Sequence, residues 1–171
     1  VMIFAFLPRN PDEQRSSALG ELKSLVNLNI WIALAIASIG FAGMFCVFSY
    51  LAPTMLNVTM TEPEWIPVGL GMLGLGGIIG NIVGGWLFDR AGYHSLGIIL
   101  AWATVTLLIY PQMTGTLPTI LLGCLLVGTM IAMTPALQTH LMDIAEGGQT
   151  LVAASNHSAF NLANALGPWL S

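Results

Sequence analysis

His157, Asn161 and Asn164 recur at i, i+4 and i+7 in an otherwise apolar stretch, with Pro168 continuing the same face and Asn156 and Gln149 nearby. Three polar groups on one helical stripe are costly against lipid, so they are expected to face a protein interior or a water-filled cavity. Asn161 and Asn164 offer neutral hydrogen bonds. His157 carries an imidazole, the side-chain type suited to changing charge in a proton-coupled cycle. Burial alone would keep it neutral, and cross-helix hydrogen bonding is the structural alternative for all three.

A second chemical feature is the pair Asp89–Arg90 inside GGWLFDRAGYHS. No Asp, Glu, Lys or Arg precedes it back to Glu64, and none follows until Asp143. Gly84, Gly85 and Gly92 surround the pair and permit close backbone approach. A carboxylate here can accept hydrogen bonds from orphan N–H groups at a nearby helix start, a breakable contact of about 1–2 kcal/mol. A solvated charge pair that only sets topology is the plainer alternative.

Other constellations are weaker. Phe41, Phe45 and Phe48 fall at i, i+4 and i+7, with Tyr50 just beyond; such a face suits an apolar solute or acyl chains equally. Met130, Met133 and Gln138 mark another helix, whose Gly128, Ala132 and Ala136 form a stripe of small residues. His140 and Asp143, one turn apart, have no third partner at catalytic or metal spacing. Cys46 and Cys124 are isolated in apolar runs and read as packing residues. Gly-x-Ser-x-Gly, His-Glu-x-x-His and paired intramembrane aspartates are all missing, which argues against an intramembrane enzyme.

The elements that must hold these residues follow from composition. The chain has 171 residues, 56% hydrophobic and only 7% charged, against about 25% charged in a soluble domain. Its mean hydropathy is +0.81. The net charge of −4 leaves no basic patch for nucleic acid. Lipid is therefore the expected solvent, and the fold class is all-α, multi-pass. Spans are expected at about 28–51 (A, ending before Pro53), 67–88 (B), 95–112 (C), 117–137 (D) and 149–171 (E). The breaker-rich PQMTGTLP separates C from D.

All four basic residues, Arg9, Arg15, Lys23 and Arg90, fall on one side if the spans alternate. That side is expected to be cytoplasmic. Residues 8–27 then form a cytoplasmic connector, whose second half reads as an amphipathic surface helix or a plain linker. Residues 1–7 read as the tail of a preceding span, and the chain as a fragment. Asn57 begins a glycosylation-type triplet on the opposite side, where a chance match is the simpler reading. On span B, Gly76, Gly80 and Gly84 form a small-residue stripe. Such a stripe permits either static packing or sliding of one helix on another.

Gly85, Asp89, Arg90 and Gly92 in this spacing resemble the cytoplasmic signature loop of the major facilitator superfamily. The resemblance implies two six-helix halves, with residues 28–171 supplying helices 7–11 of the second and residues 1–7 the end of helix 6. The absent N-terminal half is the implied intramolecular partner. Tyr93 and His94 depart from the family pattern, which continues with basic residues, and this weakens the basic side of the contact. QTLVAASNHSAFNLANALGPWLS is similar to helix 11 of the bacterial drug:proton antiporter branch. The implied function is efflux of small hydrophobic or amphipathic solutes, or sugars, across a bacterial inner membrane by alternating access. A proton gradient is the implied energy source, with no cofactor and no metal. The implied pathway residues are His157, Asn161, Asn164, Phe41, Phe45 and Met133. Gly76, Gly80 and Gly84 are implied to lie where the two halves rock. A non-transporting scaffold or receptor is the competing class.

Overall fold

A computed structural model of the chain describes residues 26–145 and 149–170. All regular structure there is helical. The expected residues 1–7 and most of the connector at 8–27 lie outside the described residues. The six α-helices are α1 (Leu28–Asn57), α2 (Ile66–Ala91), α3 (His94–Ile109), α4 (Leu117–Gly128), α5 (Met133–Ile144) and α6 (Gln149–Leu170).

Span A is longer than expected, because α1 continues through Pro53 for 30 residues. A proline withdraws one N–H and crowds the carbonyl four residues back; that residue, Ser49, is exposed, so the loss falls at an open edge of the helix. The N-terminus is capped by Asn27, whose Oδ1 accepts from Asn29 N at 3.0 Å. Past the C-terminus, Thr59 Oγ1 donates to Thr114 O at 2.8 Å. That bond ties the end of α1 to the 3-10 segment Tyr110–Gly115, where Pro111 interrupts span C.

Span D is also corrected. It is not one continuous helix ending near 137 but α4, a 3-10 turn over Thr129–Ala132, and α5 reaching Ile144. Pro135 supplies the reason. Its ring displaces the Ile131 carbonyl from α-helical bonding, and the chain tightens by one turn just upstream. At the start of the turn the hydroxyl of Thr129 donates to Leu126 O at 2.6 Å.

Four stretches are long and apolar enough to cross a bilayer: Leu28–Asn57, Pro63–Ala91, His94–Gly115 and Leu117–Ile144. α6 has the length, at 22 residues. Asn156, His157, Asn161 and Asn164 lower its apolarity, which sets it apart from the other expected spans.

Two helix pairings dominate the packing, α1 against α6 and α2 against α4 with the 3-10 turn after it. In the first, Phe41 and Phe160 meet with ring centroids 4.3 Å apart. At Gly167 an added Cβ would stand 2.6 Å from Ala42 O and 2.8 Å from Cys46 N. In the second, an added Cβ would strike Leu125 O at Gly76, Thr129 O at Gly80 and Ala132 O at Gly84. The main core joins α1, α3, α5 and α6, and a smaller one gathers Leu51, Met55, Leu73, Ile120 and Cys124. Large apolar side chains such as Ile39, Ile82 and Leu108 lie exposed on the outside. That arrangement suits a lipid solvent, where apolar surface need not be hidden.

Candidate functional site

α6 carries different chemistry on different sides. Val152, Asn156, Ala159, Ala163 and Gly167 are buried against the bundle, whereas His157, Asn161 and Asn164 are exposed. The spacing of three and four residues that buries the first set turns the second toward open space. A third side, with Ser158 and Leu162, borders an apolar groove of about 500 Å³ shared with Trp31 and Ile39 of α1. The serine hydroxyls of this helix donate back to its own carbonyls, Ser155 to Leu151 at 2.8 Å and Ser158 to Ala154 at 3.3 Å. The amides and imidazole are therefore the groups that α6 offers to another molecule or to another part of the protein.

One polar contact crosses the bundle at the foot of this helix. Asn156, 1% exposed, donates from Nδ2 to Gln138 Oε1 on α5 at 2.6 Å. Its own Oδ1 is buried and has no hydrogen-bond partner. Sequence alone marks Asn156 and Gln138 separately. Their meeting depends on the packing of α5 against α6, with Gln138 midway along α5 and Asn156 in the first half of α6.

Other expected pathway residues are distributed differently. Phe41 is fully enclosed against Phe160, and Met133 is fully buried with its thioether against Gly40. Phe45 is half-buried and Phe48 exposed. The aromatic series thus runs from core to surface along α1.

The charged turn is sharply defined. α2 ends at Gly92, with φ +52° and ψ −131°, a backbone that side chains rarely tolerate. Gly92 N–H donates to Phe88 O at 2.8 Å, and Ser95 Oγ donates to Gly92 O at 2.6 Å. Asp89 and Arg90 are both exposed. The Arg90 guanidinium lies over the Trp86 ring, 4.4 Å from its centroid, a cation–π contact one helical turn back. Tyr93 meets His140 edge-on at 4.6 Å and so links the turn to the end of α5.

The glycines of α2 divide into two sets. Gly76, Gly80 and Gly84 are spent on α4 and the 3-10 turn, within one bundle, which corrects their expected place where two halves rock. Gly71, Gly74 and Gly85 have nothing within 4 Å of an added Cβ. With exposed Asn81 and Asp89 they form a second stripe of small or polar residues facing away from the described bundle. Sequence alone marks a neighbouring face of Gly77, Asn81 and Gly85; Asn81 and Gly85 do lie on the open stripe, whereas Gly77 is buried with Ile131 Cδ1 3.5 Å from an added Cβ, and Gly71 and Gly74 are the members that reading lacks.

Among the described residues no cluster of three or more His, Cys, Asp or Glu side chains could hold a metal. Cys46 and Cys124 are free thiols.

A sequence model described as the Major Facilitator Superfamily matches residues 1–168. The chain is 30% identical over 168 residues to the inner membrane transport protein YdhP of Escherichia coli K12, covering 98% of this chain and 43% of that protein. It is 25% identical to the putative transporter AraJ of the same organism, again with 98% and 43% covered. It is 26% identical to a chloramphenicol resistance protein of Streptomyces lividans, over 86% of this chain and 38% of that one. The chain thus spans less than half the length of these curated relatives. No solved structure matches it significantly.

Proposed function

The chain belongs to the major facilitator superfamily, and on that premise we propose that the whole protein is a proton-driven secondary transporter exporting small neutral or amphipathic solutes from the cytoplasm. The observation that carries this reading is the open polar face of α6. His157, Asn161 and Asn164 point away from their own bundle, in a helix otherwise suited to lipid. Amides in such a place have value when a polar solute or water column lies beside them. The names of the relatives fit a solute of this kind: one is called a chloramphenicol resistance protein, another a putative transporter.

The Asp89 turn is proposed to face the cytoplasm of a bacterial inner membrane, on the side that holds all the Lys and Arg residues. The open stripe of Gly71, Gly74, Asn81, Gly85 and Asp89 is proposed as the seat of the N-terminal half. Its small residues permit close approach, and the exposed carboxylate reaches for a helix N-terminus across the gap. Breaking and remaking that contact biases one of two states, and solute and proton shift the population by their unequal affinities for each. Asn161 and Asn164 line the path. His157 serves as a hydrogen-bonding or protonatable member. Phe45 borders the path, and Phe41 and Met133 form the packed wall behind it.

The test is solute flux in inverted membrane vesicles carrying the full-length protein, with and without a proton gradient. Gradient-dependent flux is expected, and Asn161→Leu should lower it by about three- to tenfold, the worth of one hydrogen bond, with normal membrane insertion. Flux that ignores the gradient removes the proton from the reading. A full-length protein that moves no solute leaves a scaffold or receptor.

A further inference from the structure

We propose that the groove between α2 and α3 holds one acyl chain of an anionic phospholipid, with the lipid phosphate bound by Arg90 and His94 at the turn that joins the two helices. The site stands apart from the transport path. The groove has a volume of about 350 Å³. Ile79 and Val83 of α2 and Ile98 and Trp102 of α3 line it and are all exposed. Its polar atoms are paired with each other, Trp102 Nε1 donating to Thr129 Oγ1 at 2.8 Å. What remains for an occupant is hydrocarbon surface open to the side.

The walls of the groove lead to the turn. Ile79, Val83, Trp86 and Arg90 follow at i, i+4, i+7 and i+11, on one face of α2. His94, Ile98 and Trp102 follow at i, i+4 and i+8, on one face of α3. The two walls therefore bring Arg90 and His94 to the same end, and both are exposed there. Asp89 is turned about 100° round the helix from Arg90, onto the open glycine stripe. That stripe, the seat proposed for the N-terminal half, lies roughly a third of a turn from the groove, so the groove is not beneath it.

The dimensions match one leaflet. Trp65 and Trp86 stand about 32 Å apart along α2 at 1.5 Å per residue, close to the thickness of a hydrocarbon core of about 30 Å. Tryptophan favours the membrane–water interface, so Trp86 marks that level and Arg90, one turn beyond, enters the headgroup layer. From Arg90 to Ile79 is about 16 Å, half the bilayer, and this is the span of a single acyl chain reaching from its headgroup toward the midplane.

Charge selects the headgroup. Arg90 is the one Lys or Arg among the described residues. Its guanidinium lies 4.4 Å from the Trp86 centroid. A ring contact through the guanidinium face leaves the N–H edge free for bidentate bonding to a phosphate. His94 adds a second donor beside it.

The experiment titrates the purified full-length protein in detergent with phosphatidylglycerol, or with phosphatidylcholine of the same chains, and counts bound lipid by native mass spectrometry. Wild type should bind one phosphatidylglycerol about tenfold more tightly than phosphatidylcholine, as expected of charge-assisted hydrogen bonds. Arg90→Gln should abolish that preference and leave phosphatidylcholine binding as it was, and His94→Ala should narrow it. Val83→Trp fills the groove from an exposed position and should weaken both lipids. Ile98→Trp, on the opposite wall, does the same and decides the matter if Val83→Trp fails to accumulate. Inorganic phosphate should not displace the lipid.

Equal affinity of wild type for the two lipids, a preference that survives Arg90→Gln, or groove tryptophans without effect overturns the proposal. Displacement by inorganic phosphate makes the turn a free-anion site and overturns it as well. A dimer mass in wild type that Val83→Trp abolishes gives the groove to a second copy of the protein instead. Gradient-driven flux, measured separately, stands or falls independently of all these outcomes.

Discussion

Whether a glycine is replaceable depends on what its missing side chain would meet. Gly80 and Gly97 both sit inside helices, yet only Gly80 faces a backbone carbonyl, that of Thr129; Gly97 has open space within 4 Å. Gly80→Val should therefore force α2 away from the 3-10 turn and lower stability by about 1–3 kcal/mol or more, the usual cost of overpacking. Gly97→Ala should be neutral or stabilising, since alanine outranks glycine in a helix by roughly 1 kcal/mol. Thermal unfolding of the full-length protein in detergent distinguishes them. Equal midpoints for the two variants would mean that the close approach at Gly80 is not needed. Gly76, Gly80 and Gly84 are readable in sequence as a small stripe. Which helix they admit is not, because a glycine carries no mark of its partner.

Elements were legible to the extent that apolarity and breakers determine them. The apolar runs located the helices, and Gly92 with its charged neighbours located the turn after α2. The pattern missed what depends on a single interior proline. Pro53 was expected to end span A and does not, since Ser49 at the affected position is exposed. Pro135 lies inside the apolar run without a breaker cluster around it, yet it interrupts span D, where Ile131 is packed against other helices. Polar residues were legible by type, but their pairing was not: Gln138 meets Asn156, and Trp102 Nε1 donates to Thr129 Oγ1 at 2.8 Å, across sequence distances that no local pattern encodes. The latter contact yields a prediction for the broken helix. Thr129→Val keeps the shape of the side chain but removes both the acceptor for Trp102 and the donor to Leu126 O. It should cost about 1–3 kcal/mol, whereas Thr129→Ser, which retains the hydroxyl, should stay near wild type. If valine and serine give the same unfolding midpoint, the 3-10 turn is held by Pro135 alone.

For the whole molecule, the consequence is that α2 presents two glycine faces with separate duties. One is closed inside the described bundle. The other, Gly71, Gly74 and Gly85 beside Asn81 and Asp89, has no neighbour there, and the curated relatives are more than twice as long as the chain. Gly74→Leu should therefore leave the protein inserted and stable but slow transport, since the added bulk meets only the proposed N-terminal half. Gly76→Leu places a side chain on Leu125 O and should reduce the amount of folded protein instead. Asp89→Asn keeps size and removes charge, so it should slow turnover with insertion unchanged, losing an attraction of about 1–2 kcal/mol to a helix N-terminus. The three variants are compared for protein level, unfolding midpoint and gradient-driven flux in the same vesicles. Gly74→Leu and Asp89→Asn should group together, with folded protein and slow flux, and Gly76→Leu should stand apart. A Gly74→Leu protein with wild-type flux would show that the open stripe faces lipid, and the Asp89 contact would then have to be sought without close packing of α2 against a second half.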